Sequence, residues 1–82
     1  MKLYAGNLPF KLTHVDIENV FTQFGGVETV NLVIEKNTKR SKGFAFIKMT
    51  DPAAANDAMQ ALDGSVLDGR TIKVSIAKEQ GE

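Results

Sequence analysis

The run Lys42-Gly43-Phe44-Ala45-Phe46-Ile47-Lys48-Met49 constrains the fold more than any other stretch, because its residues separate into two sets with period two. That is strand periodicity, in which successive side chains point to opposite faces. Gly43, Ala45, Ile47 and Met49 make a small and aliphatic face suited to a core, whereas Lys42, Phe44, Phe46 and Lys48 make the other. A sheet covered on both sides would bury the rings and the lysines together, and lysines almost never lie buried without a partner. An uncovered face is the consistent reading. Flat rings beside ammonium groups match the bases and phosphates of a single-stranded nucleic acid.

The rest of the chain supplies the elements that such a strand needs. Residues 2–6 read as a short strand that Asn7-Leu8-Pro9 ends. Thr13 is a good N-cap with Asp16 three residues on as an approximate capping box, and Ile17, Val20, Phe21 and Phe24 follow as one helical stripe that Gly25-Gly26 stops. Residues 27–34 are β-branched and alternate, with Val30, Leu32 and Ile34 expected inward. Glu35 to Ser41 is a polar loop. Asp51-Pro52 starts a second helix, carrying the stripe Ala55, Ala58, Met59 and Leu62, and Asp63-Gly64 closes it. Residues 70–77 read as a last strand, Ile72, Val74 and Ile76 on one face and Lys73 and Ser75 on the other.

The order is therefore βαββαβ. The expected fold is α+β, a ferredoxin-like sandwich whose two helices cover one face of a four-stranded antiparallel sheet and leave the other open. In that arrangement the first and third strands are neighbours at the centre, and Tyr4 joins Phe44 and Phe46 on the open face. Parity puts Asn31, Val33, Lys73 and Ser75 there too. Asn31 is the best candidate for reading a base edge, since its amide both donates and accepts. Lys2 and Lys78, at the two ends of the sheet, are placed to catch backbone, and Lys48 shares the ring face.

Composition excludes several classes of function. Eighty-two residues make one domain, spanning 1–82 with its core over 2–78. No apolar run approaches the ~20 residues of a membrane span, and the N-terminus has no secretory h-region. Without cysteine there is neither a disulfide framework nor a thiolate metal site. A cytoplasmic monomer, with no membrane association, cofactor, metal or small-molecule substrate, is the simplest expectation. An enzyme is not expected: the one histidine, His14, falls in the first turn of a helix and is expected to face solvent, and no phosphate-binding glycine loop is present. Net charge is zero, but Lys36, Lys39, Arg40 and Lys42 lie within seven residues that contain no acid. A molecule with one basic side can bind an anion without being basic as a whole.

Two segments resemble the signature motifs of the RNA-recognition motif family, the RRM. Lys42–Met49 is similar to its octamer and Leu3-Tyr4-Ala5-Gly6-Asn7-Leu8 to its hexamer. The likeness extends over about residues 2–78, including Phe24-Gly25 and Leu67-Asp68-Gly69-Arg70. It implies that Tyr4 and Phe46 each stack a base, that Phe44 packs on sugars or a neighbouring base, and that Lys42 meets a phosphate. It also implies that Gly43 and Ala45 stay small so that a helix can approach beneath. Met49 departs from the motif, which usually has an aromatic there, but faces inward and repacks the core. The chain looks like the small stand-alone RRM proteins of bacteria.

The ligand expected is single-stranded RNA, on Tyr4, Phe44 and Phe46 with Lys2, Lys42, Lys48, Lys39, Arg40, Lys73 and Lys78 as cations and Asn31 as reader. Single-stranded DNA stays open as an alternative, because stacking does not sense the 2′-hydroxyl. So does a protein partner on the helix face, a use of this fold in which the sheet aromatics are usually lost. The loop cations have a bland reading as well, that of a solvated turn.

Overall fold

The computed structural model describes residues 2–77, as β1 (Lys2–Gly6), α1 (His14–Thr22), β2 (Val27–Ile34), β3 (Ser41–Met49), α2 (Pro52–Leu62), β4 (Val66–Leu67), β5 (Arg70–Thr71) and β6 (Lys73–Ala77). The main sheet has the order β2-β3-β1-β6, and each neighbouring pair in it is antiparallel. β1 and β3 are thus the central strands, as the shared face of the three rings requires.

Both helices begin where their caps dictate. The Thr13 hydroxyl accepts from the Asp16 backbone N–H at 3.3 Å, and the Asp16 carboxylate accepts from the Thr13 N–H at 3.0 Å, a complete capping box. Asp51 accepts from the Ala53 N–H at 3.0 Å, with Pro52 opening α2. α1 buries Ile17 and Phe21, and α2 buries Ala54, Ala55 and Ala58, so α2 meets the sheet through methyl groups and approaches closely. Against them lie Leu3 and Ala5 of β1, Ala45, Ile47 and Met49 of β3, and Val74 of β6, in one core cluster. Both helices deliver their buried residues to this cluster, which leaves the opposite sheet face uncovered.

Three expectations need correction. Residues 70–77 are not one strand. Ile72 donates its N–H to Ser65 O and accepts from Gly64 N–H, each at 2.9 Å, so its backbone belongs to the hairpin that carries β4 and β5, and β6 starts only at Lys73. Its side chain is still buried. Ile34, expected inward, is 45% exposed, and Ile76 is 49% exposed although its register opposite Leu3 keeps it on the face of Val74 as expected. They lie on β2 and β6, the two edge strands, whose outer flanks no further strand covers. Gly43, expected to make room for a helix, instead has φ of 86°, and a methyl group there would come within 3.0 Å of the Phe10 ring and 3.5 Å of Leu8 O. The small residue serves a left-handed backbone and the loop after β1, and the β2–β3 register shifts nearby, between Leu32 and Ile34.

Candidate nucleic-acid interface

Strand register assembles the open face. Asn31, Phe46, Tyr4 and Ser75 are consecutive cross-strand partners, one residue from each strand of the main sheet, and form a row across it. Thr29, Lys48, Lys2 and Ala77 form the next row. Cross-strand partners have side chains about 4.5–5.5 Å apart at their roots, close enough for the aromatic ones to pack. The ring centroids of Tyr4 and Phe46 are 5.8 Å apart, those of Tyr4 and Phe44 6.1 Å, and those of Phe44 and Phe46 6.2 Å. The last pair meets edge to face at 87°. Each ring is half-buried by the others, so the cluster is held in place and still presents surface.

Two details fix how the rings sit. The Lys2 ammonium stands 5.0 Å from the Phe46 ring centroid, a cation–π distance. The Tyr4 ring lies over Gly6, where an added methyl group would come within 2.8 Å of two ring carbons. Gly6 is therefore the floor on which the tyrosine ring rests. Register also sets Lys73 opposite Gly6 and Lys48 opposite Lys2. Asn31, Ser75 and Lys73 are exposed, while Val33 and Lys48 are half-buried. Lys42 is exposed at the irregular start of β3. Lys78 lies outside the described residues.

The loop cations are placed elsewhere. Lys39, itself in the left-handed region at φ of 63°, and Arg40 line a hollow of about 370 Å³ together with Phe10, Lys11, His14 and Ile34, a site that includes none of the three sheet rings. His14 is exposed at the first position of α1, as expected.

A brace beside this hollow has no signal in periodicity. Asn7, at φ of 58°, donates from Nδ2 to Thr71 O at 2.6 Å and accepts from Arg70 Nη2 at 2.7 Å. The Arg70 guanidinium stands 5.5 Å from the Phe10 ring centroid. Lys11 pairs with Asp68 at 2.8 Å, and the hydrogen bond and charge of that carboxylate raise the lysine pKa above its ordinary value. These bonds tie the loop after β1 to the β4–β5 hairpin. Phe10 did carry a legible signal: it is an aromatic residue directly after Pro9 and belongs to neither helical stripe.

Among the described residues no cluster of histidine or acidic side chains could hold a metal ion, and no helix is long and apolar enough to cross a membrane. The family model described as the RNA recognition motif matches residues 3–73. A putative RNA-binding protein of Nostoc, RbpE, is 40% identical over 82 residues, covering all of this chain and 83% of its own. The crystal structure of RNA binding protein PG1 superposes with a TM-score of 0.94 at 32% identity, over 100% of this chain and 99% of that one. The Rna15 RRM with bound GU RNA superposes at 0.89 and 27% identity, over 99% of this chain and 86% of the other. The chain also matches chloroplast ribonucleoproteins of spinach and Nicotiana sylvestris, of whose lengths it spans 34% and 25%.

Proposed function

The chain belongs to the RNA recognition motif family, and from that premise we propose that it holds a short single strand of RNA across its open sheet face. It is an RNA-binding module and not an enzyme. The observation that carries the stacking mode is the cluster of Tyr4, Phe44 and Phe46, with centroids 5.8–6.2 Å apart on the face opposite the helices. Tyr4 and Phe46 each take a base, and Phe44 takes a sugar or the neighbouring base. Lys2, Lys48 and Lys73 surround the rings and meet phosphates, and Asn31 and Ser75, at the ends of the ring row, are in position to read base edges. About two to four nucleotides fill this area, and such a small interface gives modest affinity, on the order of micromolar.

Chemical-shift mapping with degenerate four-nucleotide RNA and DNA pools tests the reading. Perturbations should gather on Tyr4, Asn31, Phe44, Phe46 and Ser75. Shifts confined to α1 and α2 would overturn it. A stronger response to the DNA pool would reassign the ligand. The reading includes a cytoplasmic monomer acting as a single domain over 1–82, since one chain supplies every ring, and light scattering of the complex checks the monomer.

Gly6→Ala tests the floor beneath Tyr4. The methyl group should tilt the ring away without unfolding the sheet, because the atoms it meets belong to one side chain. RNA affinity should fall, by less than the roughly 5- to 150-fold that loss of a whole stack costs. Unchanged Tyr4 ring resonances would refute the account of Gly6.

Salt separates the loop from the sheet. For single strands the slope of log affinity against log salt is about −0.7 per neutralised phosphate, so two to four phosphates give roughly −1.4 to −2.8. Replacing Lys39 and Arg40 with alanine should flatten it by about 0.7 for each phosphate that the loop had neutralised. An unchanged slope would make the loop a plain solvated turn.

A further inference from the structure

The most exposed aromatic residue of the described chain is not on the sheet. Phe10 is 62% exposed, whereas the three sheet rings are half-buried. It is nevertheless held in place. Its ring edge rests on Gly43, and the Arg70 guanidinium, itself fixed by its 2.7 Å hydrogen bond to Asn7, stands 5.5 Å from its centroid. A large ring kept in water by a brace of hydrogen bonds contributes little to folding, so its use lies with something it meets.

The hollow beside it has the chemistry of a nucleotide site. Its lining includes Lys11, Lys39 and Arg40 and no carboxylate. Lys11 is occupied with Asp68, but Lys39 and Arg40 form no salt bridge among the described residues. A flat ring, two available cations and a volume of about 370 Å³ suit one base with its phosphate. The position also adjoins the ring-bearing strand, because Phe10 packs against Gly43, the residue before Phe44.

We propose that Phe10 is a fourth base platform, and that the hollow between it and Lys39 and Arg40 takes the nucleotide that follows those on the sheet. The proposal rests on the sheet-binding reading given above and adds a subsite to it. A longer RNA then binds more tightly than a short one, and the difference resides in Phe10 and the loop cations.

The test compares degenerate RNA pools of four and of seven nucleotides on the wild type and on Phe10→Ala. Wild type should bind the longer pool more tightly, with Phe10 ring resonances shifting only in that complex. Phe10→Ala should lose about 5- to 150-fold for the seven-nucleotide pool and little for the four-nucleotide pool. An equal loss for both pools would make Phe10 a support for Gly43 and Phe44 and overturn the proposal, as would no loss for the longer pool. Phe10→Tyr, which keeps a stacking ring, should retain wild-type length dependence. If the wild type binds neither pool, the sheet reading fails as well. If it binds both equally, only the fourth platform fails.

Discussion

Phe46→Ala will weaken RNA binding by about 5- to 150-fold, the ~1–3 kcal/mol that one base–aromatic stack is worth, and leave the domain folded. Phe46 packs against both other rings of the cluster, 5.8 Å from Tyr4 and 6.2 Å from Phe44, with Asn31 as a cross-strand partner and the Lys2 ammonium 5.0 Å from its centroid. Truncation removes a stacking surface and loosens Tyr4 and Lys2 at once. Folding is not untouched, because the ring is half-buried. Two ring–ring pairs at about 0.5–1.5 kcal/mol each set a stability loss of about 1–3 kcal/mol. Isothermal titration with a short RNA, alongside thermal unfolding, separates the two quantities. Wild-type affinity in the variant would remove Phe46 from the interface.

The largest effect on stability is expected at Phe21. It is the largest of the fully buried side chains, 1% exposed, on the face of α1 turned to the sheet. Phe21→Ala leaves a cavity that costs about 3–5 kcal/mol. At about 0.05–0.15 kcal/mol per residue the whole domain has only roughly 4–12 kcal/mol to lose. At about 4–8 °C per kcal/mol for a domain of this size, the midpoint of thermal unfolding should fall by roughly 12–40 °C. Affinity of the molecules that remain folded should be unchanged, since the ring lies on the far side of the sheet from the proposed ligand. A midpoint within a few degrees of wild type would mean that the core closes over the loss. Phe21 and Phe46 are chemically identical, and only the face they occupy separates the two outcomes.

Alternation along Lys42–Met49 and the stripes containing Ile17 and Phe21, and Ala55 and Ala58, were legible because side-chain period follows from backbone geometry alone. The capping residues Thr13 and Asp51 were legible for the same reason: each makes its bonds within three residues. From these elements came the sheet with one open face, and from strand parity the common side of Tyr4, Phe44 and Phe46. The strand reading failed where a tertiary interaction overrode the local pattern. Ile72 bonds to Ser65 and Gly64 in place of extending β6. Gly43 adopts a positive φ against Phe10 and Leu8, with no helix beneath it, while burial still alternates from Lys42 to Met49.

The amino-acid sequence by itself determined the order of the two helices and the four main-sheet strands, the inward face of each central strand and the three rings opposite it, because those follow from interactions between near neighbours. Only the tertiary structure decided that Tyr4 and Phe46 face each other with Asn31 and Ser75 in the same row, since register depends on how separate strands meet. It alone set Lys39 and Arg40 beside Phe10, around a hollow that none of the three sheet rings lines. The Asn7–Arg70 bond behind that ring joins residues 63 apart. A bond of that span leaves no local pattern, because the loop between its ends can close in many ways and the packing of the whole domain selects one.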